Sequence, residues 1–140
     1  MKVKILSIRQ PWSYLIVNGV KPVENRSWYT KYRGELYIHA GQKFDHEGYE
    51  VAKRIVSGYG GMIPVSQSPR YLKGGIIGSV NMVDCVDECD DDWFFGDWGF
   101  VFENAEEIDF IPMSGRLGIF EADIESKKRA AKKLNLVIGR

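Results

Sequence analysis

The stretch that decides the fold is Ser7–Ala40, SIRQPWSYLIVNGVKPVENRSWYTKYRGELYIHA. Just ahead of it and into it, Val3 to Ile8 is aliphatic and weakly alternating, which reads as a strand. Pro11 suits a first helical turn, where its missing N–H costs nothing. Trp12, Leu15 and Ile16 follow at helical spacing, and Gly19 can end the helix in the left-handed conformation. A short helix from Pro11 to Asn18 is therefore expected. Pro22 resists its continuation. Val23 to Trp28 reads as a second strand, with Glu24, Arg26 and Trp28 on one face and Val23, Asn25 and Ser27 on the other. Tyr29 to Gly34 is a loop, and Glu35 to Ala40 a third strand carrying His39.

Working outward, Asp45 can cap a helix running to about Ser57, with Tyr49, Ala52, Ile55 and Val56 as its buried stripe. Gly58 to Gly75 is a long Gly/Pro/Ser-rich connection, a candidate flap over a pocket. Gly75 to Cys89 reads as a long strand. Gly99–Glu103 and Ile108–Pro112 read as two strands, and Gly115–Ala122 as the last. A basic helix is expected at about 126–136. The second half reads with no crossover helices, so a parallel doubly wound fold fits poorly. The expected class is α+β: a single domain over 1–140, a small, mostly antiparallel β-barrel flanked by short helices.

Formal net charge is zero, with 19 basic and 19 acidic residues, which argues against a non-specific nucleic-acid coat. The charge is nevertheless sorted along the chain. Asp84 to Asp109 holds eleven acids and no base, while Ser126 to Arg140 holds six bases and no acid. No apolar run approaches the ~18 residues of a membrane span, and the N-terminus lacks a cleavage signal. A cytoplasmic protein with no membrane partner is the expectation. On a strand, Cys85 and Cys89 stand ~13 Å apart at ~3.3 Å per residue, too far for a disulfide. Two thiols with no neighbouring His do not make a zinc site, the 90–92 acidic run lacks the spacing of a calcium loop, and the glycine clusters fit no phosphate-binding motif. No metal and no cofactor are expected. Ser7, Ser13 and Ser27 lack a nucleophile-elbow context.

The candidate site lies in the opening stretch. Lys21 and Glu24 are either a proton-transfer pair or a structural ion pair at the helix-to-strand junction. Gln10, Glu24, Asn25 and Arg26 carry the groups that read a base edge. Trp28, or Trp12, offers a stacking face. Arg33 and Lys31 are placed to meet phosphate, His39 to donate a proton or contact a base, and Arg116 is a weaker rim candidate.

SIRQPWSYLIVNGVKPVENRSW with YRGELYIHA, GGIIGSV, GDWGFVFENAEEI and GRLGIFE resembles the ASCH domain family, across nearly the whole chain to about Ala122. The resemblance implies a PUA-like barrel with a cleft between barrel and first helices, and a nucleic-acid-related role. The family's G-x-K-x-x-[ET] motif stands here as Gly19, Lys21 and Glu24. An amidohydrolase branch acting on N4-acetylcytidine is similar around the Lys but has Thr where Glu24 stands, and a carboxylate substitutes poorly for that nucleophile. The expected function is binding of RNA or a modified nucleoside, with DNA left open, through Gln10, Lys21, Glu24, Asn25, Arg26, Trp28, Arg33 and His39. Two readings stand beside it: a hydrolase of an amide or phosphodiester, such as a ribonuclease, in which Lys21 and Glu24 activate water, and an accessory module that binds a protein.

Overall fold

The computed structural model describes residues 1–137, and within the last helix the side-chain surroundings of 124–130 and 132. In chain order it contains β1 (Lys2–Gln10), α1 (Trp12–Val17), β2 (Val23–Arg26), β3 (Gly34–Phe44), α2 (His46–Gly58), β4 (Gly75–Val86), β5 (Trp98–Pro112), β6 (Ile119–Asp123) and α3 (Ile124–Val137). The opening strand–helix–strand–strand order matches the reading of Ser7–Ala40. Asp45 caps α2 by accepting from the Gly48 N–H, as its residue type favours.

All six strands form one sheet in the order β2-β5-β4-β3-β1-β6. Neighbours are antiparallel except β1 and β3, which run parallel from Ile5↔Tyr37 to Ile8↔Ala40. The fold is α+β as expected, but the expected closed barrel is corrected: β2 and β6 end the sheet and do not pair with each other. The sheet curls until β2 comes near β1, and there a side chain does the bridging, the Arg26 Nη2 donating to the Ser7 carbonyl at 2.9 Å. Lys21, Glu24 and Trp28 occupy the same region. A backbone ladder requires strands about 4.8 Å apart, and a seam filled by side chains cannot close to that distance.

The principal core lies inside the curl, where Leu6, Ile38, Val80, Met82 and Phe100 pack together, with Ile16 and Val17 of α1 against them. Alternation along β1 and β3 supplies the strand contributions and the helical spacing of α1 the others. Gly78 lies where β4, β5 and α1 crowd together: a Cβ there would sit 2.6 Å from Val17 Cγ1, so only glycine admits the helix this close.

Three other expectations are corrected. The segments 99–103 and 108–112 are one strand, β5, because the pairing passes from Asn81↔Glu103 to Ser79↔Glu106 with one extra residue on β5. Asn104 absorbs it at φ 53°, a conformation asparagine tolerates better than most residues, so the break is a bulge and not a loop. The last strand begins at Ile119, not Gly115. The 58–75 connection is no flap over the cleft described below. It packs on α1, with Tyr71 edge-on to Tyr14 and the Leu72 carbonyl accepting from the Gln10 amide at 2.8 Å.

Candidate functional site

The open seam between β1 and β2 holds a cavity of about 520 Å³, within the range of small-molecule sites. β1 contributes Ser7, Ile8 and Arg9. α1 contributes Trp12, the α1–β2 junction Lys21, and β2 with its continuation Glu24 to Trp28. Asp45 and Phe95 complete the rim.

Its floor is a buried charge cluster. Lys21 is 2% exposed and Glu24 7%, figures that matter because charges so deep must be paired. The Lys21 ammonium donates to the Val23 carbonyl and to Glu24 Oε1 at 3.2 Å, and lies 5.2 Å from the centre of the Trp12 ring. The other Glu24 oxygen accepts from Arg26, Nε at 3.1 Å and Nη2 at 3.0 Å. Two cations on one carboxylate leave the floor with one net positive charge, suited to a carbonyl oxygen or an anion.

Burial pushes the Lys21 amine down from its ordinary 10.5, and Arg26 pushes it further, while Glu24 opposes both. The native chain therefore releases this proton at lower pH than the unfolded chain does. Between the two values the unfolded state binds more protons, so stability rises with pH. The stability advantage of wild type over Lys21→Met is expected to grow as pH climbs from neutral toward 10.5. Urea unfolding of both proteins across that window reads it, and an advantage that shrinks with rising pH contradicts the direction.

Asp45 is pushed up by burial, but donation from the Gly48 N–H and the Trp12 indole (3.0 Å), with the charges of Arg9 and His46, outweighs this and holds it below the usual carboxylate range. It stays an anion that pins Trp12 at the rim. Trp28 stands edge-on to buried Phe100, ring centres 5.1 Å apart, so one aromatic wall is fastened to the core.

Of the expected site residues, Lys21, Glu24, Asn25, Arg26 and Trp28 line this cavity. Asn25 does so with its amide already engaged, donating to the Trp93 carbonyl and accepting from the Phe95 N–H, so it ties the 93–95 loop to the rim. Gln10 is fully buried and both ends of its amide serve the fold, Oε1 accepting from the Tyr14 N–H and Nε2 donating to Leu72. Arg33 is spent on the Thr30 and Tyr32 carbonyls and faces Asp84 at 3.6 Å. His39 is buried behind Ser7, at a different cavity, and Arg116 is exposed away from the cleft. Sequence reasoning gave Asp45 only its capping role and did not pick out Phe95. The Asp45–Trp12 bond spans 33 residues and carries no local signal. Among the described residues there is no cluster of His, Cys, Asp or Glu able to hold a metal ion, and no helix is long and apolar enough to cross a membrane. Both cysteines are free thiols.

Comparisons with known proteins agree on one family. The model of the ASCH domain matches residues 6–112. Activating signal cointegrator 1 from Homo sapiens and from Mus musculus are each 30% identical over 142 residues, covering 92% of this chain and 24% of theirs. The chain thus spans about a quarter of the length of those relatives. The crystal structure of ASCH from Zymomonas mobilis matches with a TM-score of 0.50 at 14% identity, over 92% of this chain and 93% of that one. A point mutant of the same protein matches with a TM-score of 0.52 at 14% identity, over 91% and 96%. At that identity the likeness concerns the fold.

Proposed function

Because this chain belongs to the ASCH domain family, we propose that it holds a nucleotide or an unpaired base, in RNA or as a modified nucleoside, in the cleft along its open seam. The observation that carries this reading is the buried Lys21–Glu24–Arg26 cluster, with its net positive charge, set beneath aromatic walls. A base is flat and presents ring carbonyls at one edge. Trp28 and Trp12 supply faces and edges for the ring. The Lys21 and Arg26 side chains supply donors for a carbonyl oxygen, and Glu24 an acceptor for an exocyclic amine. Arg9, exposed at the rim, is the cation available to a phosphate outside the cavity. The interior of the site reads a base and the rim meets the backbone, the division expected of a single-strand reader.

Titrating short RNAs, DNAs and modified nucleosides at low salt while following tryptophan fluorescence tests it. Saturable binding is expected, RNA and DNA arms showing which strand is preferred. Trp28→Ala is expected to weaken it by about 1–3 kcal/mol, the worth of one stacked base. Absence of a saturable change with any of these ligands removes the reading.

A hydrolase reading has one observation of its own, the downward push on the Lys21 amine. An amine whose proton burial loosens can release it and take it back, and with Glu24 at 3.2 Å it can activate water. Acylated cytidines and single-stranded RNAs are the substrates to assay. Turnover that survives Lys21→Met rules this mechanism out.

A further inference from the structure

We propose that Ser7 and His39 form a serine-nucleophile dyad that cleaves small acyl esters at a second cavity, behind the seam and apart from the Lys21–Glu24 cluster. Three observations carry it. Ser7 Oγ lies 2.8 Å from His39 Nδ1, while His39 Nε2 lies 2.7 Å from the Met113 carbonyl. A carbonyl can only accept, so Nε2 holds the ring proton, Nδ1 is the bare nitrogen, and the Ser7 hydroxyl donates to it. A hydroxyl donating to an imidazole that a third group orients is the arrangement that activates a serine. The spacing in sequence hid it: parallel pairing of β1 and β3 sets Ser7 opposite His39.

The second observation is access. Ser7 is half-buried and lines a cavity of about 540 Å³ with His39, Gly41, Gln42, Ser114 and Gly115. The hydroxyl is flanked by glycines. A Cβ on Gly115 would stand 2.8 Å from Ser7 Oγ and 2.9 Å from His39 Cε1, and one on Gly41 3.7 Å from the same oxygen. Any side chain at 115 would crowd the dyad, and glycine leaves it open. The third observation is rigidity. Arg26 Nη2 docks on the Ser7 carbonyl and His39 is 2% exposed, so both partners are held without a bound ligand.

The chemistry balances with water as the only co-reactant. Ser7 Oγ forms a bond to the ester carbonyl carbon as its proton passes to Nδ1. The ester C–O bond breaks and the alkoxide leaves with that proton as an alcohol. Water, deprotonated by Nδ1, then attacks the acyl-serine, releasing the acid and restoring Ser7.

The experiment treats the full chain with a fluorophosphonate, which phosphonylates an activated serine with loss of fluoride, and locates the adduct by peptide mass spectrometry. Hydrolysis of p-nitrophenyl acetate is followed in parallel. The expected result is an adduct on Ser7 and a burst of one p-nitrophenol per chain, both absent in Ser7→Ala. His39→Gln is expected to slow labelling by about 100-fold or more. Should His39→Gln fail to fold, Gly115→Ala carries the test. It leaves both partners in place and changes only a residue of an exposed loop, while its Cβ shields the hydroxyl, so labelling must fall. No adduct on Ser7 in the wild type overturns the proposal, as does labelling at the wild-type rate in folded His39→Gln or in Gly115→Ala. The proposal does not depend on nucleotide binding in the seam, which leaves Ser7 chemistry readable whether or not the cleft binds a base.

Discussion

Glu24→Leu is expected to destabilise the chain by about 3–5 kcal/mol, the loss that follows when one partner of a buried ion pair is removed. Glu24 is the only carboxylate that bonds either Lys21 or Arg26 among the described residues. Without it two cations remain side by side, one of them 2% exposed, with backbone carbonyls and the Trp12 ring but no bonded carboxylate to offset their desolvation. Lys21 can escape only by losing its proton. Its pKa, already pushed down by burial, loses the raising effect of Glu24 and falls further. The damage is thus expected to be larger near pH 6 than near pH 9, since rising pH lets the amine of the variant give up its proton before that of the wild type does. Chemical unfolding at both values measures it. Lys21→Met combined with Glu24→Leu is expected to recover much of the loss, because a well-packed apolar pair avoids the buried charge altogether. A single variant as stable as wild type would mean that water enters the floor of the cleft and solvates the cations.

Phe100→Ala is expected to cost a similar amount, about 3–5 kcal/mol, for a different reason: the removal of a fully buried ring leaves a cavity that a curled sheet cannot collapse. Phe100 is 0% exposed and sits mid-sheet, opposite Glu24 on β2 and Cys85 on β4. Both neighbours are held by backbone ladders, so neither strand can move in. The urea midpoint should fall with the slope unchanged. The consequence reaches the site, because Trp28 loses its edge-to-face partner, a contact of about 0.5–1.5 kcal/mol. The proposed nucleoside binding is therefore expected to weaken in the folded variant although Phe100 does not line the cleft. A loss near 1 kcal/mol, the ordinary size for a point change, would show that the core refills.

Both predictions concern groups legible in the sequence to different degrees. The proximity of Lys21 and Glu24 follows from their separation, a few residues across a turn that Gly19 and Pro22 enforce. That Arg26 joins them on the same carboxylate follows from strand alternation, which puts residues 24 and 26 on one face. The resemblance to the ASCH family pointed to the same junction. The burial of all this was not legible, because periodicity names a face without naming what covers it.

The same limit explains the candidates that went elsewhere. Gln10 and Arg33 have the residue types of a binding site, and each spends its polar atoms on the fold: Gln10 on Tyr14 and Leu72, Arg33 on the carbonyls of its own loop, while His39 turns to Ser7 and Met113 at a separate cavity. A long-range hydrogen bond leaves no trace in local pattern, so a buried amide and a ligand-binding amide read alike.

By itself, then, the sequence determined the order of strands and helices from Ser7 to Ala40, through apolar period, proline and glycine placement, and it set Lys21 close to Glu24 and put Glu24 and Arg26 on one strand face. These are short-range matters, decided by backbone sterics and side-chain spacing. Only the tertiary structure decided that the sheet stops short of closure and that the resulting seam is a cleft. It alone brought Asp45 and Phe95 to the rim, and set Ser7 against His39 across 32 residues. Strand pairing and sheet curl depend on which surfaces the whole chain can bury at once, and no segment carries that information alone.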